Sequence, residues 1–196
     1  LLPIQDEEWQ ILNDYYEGKY YPIYKFPIAL PFADSDRLAM DGTINAAYMS
    51  STWVSQTQGL MIVDDDFLTS HLKIDQIEYT ALAEQPRSTG IYVTDYFADA
   101  ILVQKSNYKS YDDFVGKYAQ IGRLQNGTVY VNGVIKTDYK NKISGLLDEF
   151  GKGTESSAIL QSQYESELEY LSYALNFVYT QNQDFMQDLK SDTSTM

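Results

Sequence analysis

Apolar and polar positions follow a helical period in the first part of this chain. Near the start, Trp9, Leu12 and Tyr16 recur at i, i+3 and i+7 behind an acidic first turn, which predicts a helix over 6–17. Residues 44–56 place their apolar side chains at the same spacing. Both segments are therefore expected to be helices that bury one face.

Short apolar or β-branched runs predict strands, and most of them lie beyond residue 56, where the period shortens. The expected strands are a proline-rich run over 21–32 and the segments 60–63, 74–82, 90–97, 100–106, 157–161 and 176–180. The expected helices are 64–72, 108–118 with Ser110 as its cap, 140–153, 164–175 and a short helix near the end of the chain. Since strands alternate with helices, the pattern predicts an α/β fold with a largely parallel sheet.

Two Asn-Gly dipeptides, at 126–127 and 132–133, separate strand-like runs and are expected to form tight turns. Residues 90–96 (GIYVTDY) and 133–139 (GVIKTDY) share a shape, but nothing around them sustains a repeat. Chance therefore suffices to explain that match.

The C-terminal region also permits a second interpretation. Its leucines and other apolar residues fit a heptad spacing over 163–190, with Asn182 at an inner position. The alternative to a helix followed by a strand is therefore one long coiled coil.

Composition narrows the classes of function. The 196 residues carry a formal net charge of −14, so nucleic acid and anionic membranes are not expected partners. The chain has no cysteine and only one histidine, which excludes a disulfide scaffold, a thiolate metal site and an imidazole zinc site. The acidic, cysteine-free composition and a start without methionine favour an extracytoplasmic location.

Motifs for catalysis are weak in this sequence. His71 follows Ser70 without the glycine pattern of a nucleophile elbow. The segment 145–154 lacks the strand and hydroxyl that a phosphate loop needs. The aspartates at 64–66 are expected to cap a helix. The 28 carboxylates alone keep a glycan hydrolase open as an alternative.

The most specific part of the sequence is the block from 72 to 128, which opens with a motif over 72–97. LKIDQI contains Lys73 and Asp75, EQPR ends in Arg87, and TDYF places Asp95 eight residues later. This layout resembles the type 2 periplasmic-binding fold, in particular the family-3 solute-binding proteins and the Venus flytrap domains of bacterial sensors. In that family the arginine grips the carboxylate of the ligand.

The resemblance implies a two-lobed α/β protein. Residues 1–19 would be a helical lead-in, lobe one would comprise 20–104 and 176–196, and lobe two would comprise 105–175. The lobes would close over a ligand by a hinge at the two crossovers. The implied function is non-enzymatic binding of a small polar ligand, amino-acid-like or carboxylate-bearing. No cofactor, metal or membrane insertion is implied, and a membrane transporter or receptor is the implied partner.

The resemblance also assigns a ligand site, in which Arg87 anchors the ligand. The other expected contacts are Thr80, Thr128, Phe32, Asp95 and Ser162. Ser162 stands where the family usually has the acidic residue that holds the ligand ammonium group, so an α-amino acid is not required.

Besides the glycan hydrolase, one alternative class of protein and one simpler role for Arg87 stay open. The chain could be a structural component of a surface or virion that assembles through its C-terminal helix. Arg87 could also be a surface residue that forms an ion pair with Glu84 or Asp95.

Overall fold

The computed structural model of this protein describes residues 8, 10–11, 14, 21–24, 28–29, 59–104, 108–121, 128–152 and 158–188. The strands are β1 (Ile23–Tyr24), β2 (Ile28–Ala29), β3 (Gly59–Ile62), β4 (Tyr79–Leu82), β5 (Ile91–Thr94), β6 (Tyr118–Ile121), β7 (Thr128–Ile135) and β8 (Phe177–Thr180). The helices are α1 (Asp65–His71), α2 (Asp95–Gln104), a 3₁₀ turn (Tyr111–Asp113), α3 (Tyr139–Lys152) and α4 (Ala158–Leu175).

These strands form one mixed sheet in the order β1-β3-β8-β5-β7-β6-β2, and β4 also pairs with β7. The β3–β8 and β5–β7 pairs are parallel, whereas the other pairs among the described strands are antiparallel. The fold is therefore α/β with a partly parallel sheet, and the expected largely parallel sheet is corrected to a mixed one. Strands β5 and β7, which the sequence assigned to different lobes, are hydrogen-bonded neighbours.

Helices cover both faces of the sheet. Alternate residues of each strand point to opposite sides, so each face has apolar side chains that pack against helices. In β3, Leu60 and Ile62 pack in one cluster with Phe97 and Ile101 of α2. On the other face, Met61 packs in a second cluster with side chains of α1 and α4. Its members include Phe67, Leu68, Leu171, Leu175 and Tyr179.

Several predicted elements are confirmed. They are β3, α1, α3, β8, helical residues within 6–17, strand residues within 21–32 and helical residues at 185–188. The predicted helix over 44–56 and the predicted turn at 126–127 lie outside the described residues.

The expected strand over 100–106 is wrong, because residues 95–104 form α2. The buried Thr94 caps this helix: its Oγ1 accepts a hydrogen bond from the N–H of Phe97 at 3.1 Å. A short apolar run such as AILV fits a buried helix as well as a buried strand, so the spacing of its apolar residues does not distinguish the two.

The expected strand over 157–161 and the alternative coiled coil over 163–190 are both wrong. Residues 158–175 form α4, and the helix ends at Leu175. Asn176 donates from its Nδ2 to the carbonyl of Ser172 at 2.9 Å, and the chain then enters β8. All four residues of β8 are buried between β3 and β5, and that burial outweighs the heptad spacing.

The expected helix over 108–118 is only a 3₁₀ turn. Ser110 is its cap, and its N–H donates to Asp113 Oδ2 at 3.0 Å. Gly116 has φ +78° and donates its N–H to the carbonyl of Val131 at 2.8 Å, which brings the chain onto β7. The expected strand over 74–82 is likewise shorter and begins at Tyr79.

The expected turn at 132–133 is wrong, because Asn132 and Gly133 lie inside the continuous strand β7. A Cβ atom on Gly133 would lie 2.6 Å from the carbonyl oxygen of Ala81 on β4. This glycine therefore permits the close approach of two strands.

Candidate functional site

The backbone of Arg87 is held by the side chain of Asn132, which is only 2% exposed. The N–H of Arg87 donates to Asn132 Oδ1 at 2.8 Å, and Asn132 Nδ2 donates to the carbonyl of Arg87 at 2.8 Å. One buried amide thus pairs both backbone groups of a loop residue, as a neighbouring strand would. The turn that carries Arg87 is fixed relative to β7.

Gly90 makes room for this amide. A Cβ atom at Gly90 would lie 2.1 Å from Asn132 Oδ1, well inside van der Waals contact. The carbonyl of Gly90 accepts from Thr180 Oγ1 at 3.0 Å, which ties the start of β5 to the end of β8. Gly90 is therefore required by packing, in the segment that joins Arg87 to the sheet.

The guanidinium group of Arg87 lies against two tyrosine rings. Its central carbon is 4.9 Å from the ring centroid of Tyr118 and 4.6 Å from that of Tyr130. The two rings meet edge to face at 5.4 Å, and Arg87 Nη1 also donates to the hydroxyl of Tyr118. Contacts of this kind use the faces of the guanidinium and leave most of its in-plane N–H donors available.

No carboxylate of the described residues lies within ion-pair distance of Arg87. The alternative ion pair with Glu84 or Asp95 is therefore not formed. Arg87 is exposed to solvent, so its positive charge is accessible to an anion from outside the chain.

Arg87 lines a cavity of about 340 Å³ at the end of the sheet where β8 stops and β5 begins. Its described wall is formed by Arg87, Ser88, Gly90, Tyr92, Asn132, Thr180, Gln181 and Asn182, among which Arg87 is the charged residue. The described wall of this cavity can therefore offer one positive charge, amides and hydroxyls to a ligand.

The structure does not bring Asp95 to Arg87. Asp95 begins α2 at the opposite end of β5, and its Oδ2 accepts from the N–H of Thr137 at 3.1 Å. The hydroxyl of Thr137 donates to the same carboxylate. Asp95 therefore joins the start of α2 to the segment that follows β7.

The other expected contacts are also dispersed. Thr80 is exposed on β4, and Ser162 is exposed on α4; neither side chain lines the cavity. Thr128 is the first residue of β7, and Phe32 lies outside the described residues. Of the sequence-derived site, Arg87 alone among the described residues lines this cavity.

Sequence reasoning missed the residues that position Arg87, namely Asn132, Tyr118 and Tyr130. The available signal was an Asn-Gly pair embedded in an apolar run, which also fits a strand with one buried amide. That signal names no partner, because Asn132 and Arg87 are 45 positions apart in the chain.

A second polar cluster lies on α2. Asp99 accepts hydrogen bonds from the hydroxyls of Tyr111 at 2.6 Å and Tyr139 at 2.5 Å, and Lys140 Nζ lies 3.0 Å away. Burial alone would raise the pKa of Asp99, but these three donors outweigh it and hold the pKa below its usual range. Burial and the same carboxylate raise the pKa of both tyrosines.

Within the described parts of the chain, no group of three or more histidine, cysteine or acidic side chains is placed to hold a metal ion. No helix of those parts has the length and apolarity needed to cross a membrane. Comparison with protein-family models, with curated proteins and with solved structures found no match.

Proposed function

We propose that this protein is a non-enzymatic binding domain for a small, polar, carboxylate-bearing ligand, which it holds in the cavity beside Arg87. The observation that carries the proposal is the environment of the Arg87 side chain. Its group is an exposed guanidinium without a carboxylate partner among the described residues, it is held against Tyr118 and Tyr130, and it belongs to a residue that lines a cavity.

The physical reason is preorganisation. A guanidinium pairs two carboxylate oxygens at once, and its planar donor fork loses less freedom on binding when it is already held in place. The two tyrosines hold the charged group, and Asn132 holds the backbone. A cavity near 340 Å³ lies at the small end of the range for ligand pockets, so a ligand of a few heavy atoms fits best.

The wider setting of the proposal follows from the resemblance and the composition. The domain would act outside the cytoplasm, as the solute receptor of a transporter or the sensing part of a membrane receptor. A more specific form of this proposal is that the domain has two lobes, which close over the ligand. Small-angle scattering would test that form, since closure lowers the radius of gyration when ligand is added.

The binding proposal itself is tested by ligand-dependent stabilisation. A ligand that binds only the native state raises the melting temperature. We expect a screen of small carboxylates to contain compounds that stabilise the wild-type protein and fail to stabilise Arg87→Ala. Arg87→Lys should bind weakly, since it keeps the charge and loses the fork.

Lys109→Ala is the matched control, because Lys109 is an exposed cation that does not line the cavity. It should respond to the same compounds as the wild type. Equal stabilisation of Arg87→Ala and the wild type by every carboxylate would refute the proposal.

A further inference from the structure

A second cavity, of about 290 Å³, lies at the other end of β5 and β7. It is formed by the segments before β4 and after β7, and its wall consists of Lys73, Ile74, Asp75, Gln76, Glu78, Lys136, Thr137, Asp138 and Lys142. Sheets with parallel strands commonly bind ligands beyond the carboxyl ends of those strands. The parallel pair β5–β7 places its carboxyl ends at this cavity.

Among the described residues, the wall of this cavity carries both signs of charge in equal number. Three lysines and three acidic residues line it in a chain whose formal net charge is −14. At the rim, Lys136 Nζ lies 2.7 Å from Glu78 Oε2, and both side chains are about half exposed. Lys73 forms an ion pair with Glu167 on α4. The cavity therefore differs in kind from the one beside Arg87.

Lys142 is the least exposed of the three lysines in this wall. Its side chain is half-buried, and its Nζ donates to the carbonyl of Leu72 at 3.1 Å and to that of Lys73. Burial lowers the pKa of Lys142, although nearby aspartates oppose the effect. Two of the three ammonium donors are thus occupied by the end of α1, and one remains for a further acceptor.

The backbone around this cavity is strained at two places. Lys73 and Asp138 both have φ +53°, a conformation that residues other than glycine seldom adopt, and both line the cavity. Asp138 is fixed by a hydrogen bond from Asn141 Nδ2 at 2.7 Å. Such conformations cluster at ligand sites, where the surrounding structure holds them in place.

We propose that this cavity is a second ligand site, which takes a small zwitterion. The anionic group of the ligand would accept from Lys142, and its cationic group would meet the carboxylates of Asp75 and Asp138. A molecule with one charge would gain one of these contacts and face like charge at the other. The mixed wall therefore selects for both charges on one small molecule.

Three small probes with the same two-carbon backbone test this selection, of which taurine and isethionate are equal in size and ethanolamine is smaller. Taurine carries an ammonium and a sulfonate, isethionate replaces the ammonium by a hydroxyl, and ethanolamine replaces the sulfonate by a hydroxyl. In calorimetric titrations of the whole protein at low ionic strength, we expect taurine to bind at least tenfold more tightly than either singly charged compound. Salt should weaken the binding, since the contacts are ionic and partly exposed.

Variants locate the site and separate it from the one beside Arg87. Lys142→Gln and Asp75→Asn should each weaken taurine binding at least tenfold, and the exposed Lys109→Gln should leave it unchanged. Arg87→Ala should also leave it unchanged, even where that variant has lost its carboxylate ligands. Asp75 is exposed, so Asp75→Asn tests the site even if Lys142→Gln disturbs the end of α1.

Three results would overturn the inference. The first is binding of isethionate or ethanolamine as tightly as taurine, and the second is taurine binding that survives Asp75→Asn and Lys142→Gln. The third is loss of taurine binding in Arg87→Ala, which would contradict a separate site. None of these results bears on the carboxylate screen, so the two proposals can fail independently.

Discussion

The two cavities lie at opposite ends of β5, and different forces hold their walls in place. Beside Arg87, a buried neutral amide and two tyrosine rings fix a single positive charge. At the other end, lysines and acidic residues face one another with much of their charge in solvent. The comparison teaches that Asn132 within β7 supplies a rigid, neutral support for one cavity, whereas the segments around the carboxyl end of β7 supply an ionic, adjustable wall for the other.

The largest expected effect comes from removing the neutral support. Asn132→Ala deletes two hydrogen bonds to Arg87 and leaves a void where the amide was. We expect a loss of about 3 kcal/mol in the free energy of unfolding, since each buried hydrogen bond contributes roughly 1 kcal/mol and the void adds to it. Urea denaturation would measure it.

Asn141→Ala is the control for that change, since it removes one exposed hydrogen bond to Asp138 at the ionic end. It should cost less than about 1 kcal/mol. Similar costs for the two variants would remove the distinction between the rigid end and the adjustable end.

A smaller effect is expected from a glycine of β7. Gly133→Ala would place a methyl group 2.6 Å from the carbonyl oxygen of Ala81, so β4 must move away from β7. We expect a loss of about 2 kcal/mol, the usual cost of overpacking. Thermal unfolding followed by circular dichroism would measure it.

Gly145→Ala is the matched control with the opposite sign. Gly145 lies within α3, and a Cβ atom there would meet nothing within 4 Å. Alanine is a better helix former than glycine, so the variant should gain roughly 0.5–1 kcal/mol. A loss of stability in Gly145→Ala would show that α3 has contacts which its glycine accommodates.

The cluster of Asp99, Tyr111 and Tyr139 should make stability depend on pH in two directions. The pKa of Asp99 is lowered by folding, so its contribution is complete above the ordinary pKa near 3.8 and is lost as pH falls through the folded value. The pKa values of the tyrosines are raised, so their contribution is complete below the ordinary value of 10.0 and is lost as pH rises above it.

Asp99→Asn should therefore weaken the fall in the free energy of unfolding as pH decreases. It should also reduce the loss of stability as pH rises. Urea titrations at a series of pH values would measure both limbs. An acid limb as steep in Asp99→Asn as in the wild type would assign the acid sensitivity to other carboxylates.

The smallest effect is expected at the rim of the ionic cavity. Glu78→Gln removes the ion pair with Lys136, in which both side chains are about half exposed. Exposed ion pairs contribute little, because water and salt screen them. The melting temperature should stay close to that of the wild type at physiological salt, and a clear loss would mean that this wall is as rigid as the one beside Arg87.

Much of the local structure could be predicted from sequence. The acidic start of α1, the apolar run of β3 and the aromatic run of β8 each predicted the element that the structure contains. Arg87 could be singled out because it is one of three arginines and follows a proline in a turn between strands. Its tyrosine and asparagine partners could not, since they come from distant parts of the chain.

By itself, the sequence determined the α/β class, the order of several elements and the position of one isolated arginine. Tertiary structure decided that 95–104 form a helix, that the helix predicted over 164–175 begins at residue 158, that β7 runs through Asn132, and that the sheet is mixed. The physical reason is that short apolar runs satisfy helix and strand equally well until their burial partners are present. Contacts between Arg87 and residues 31 and 45 positions away then turn an ordinary loop into the wall of a cavity.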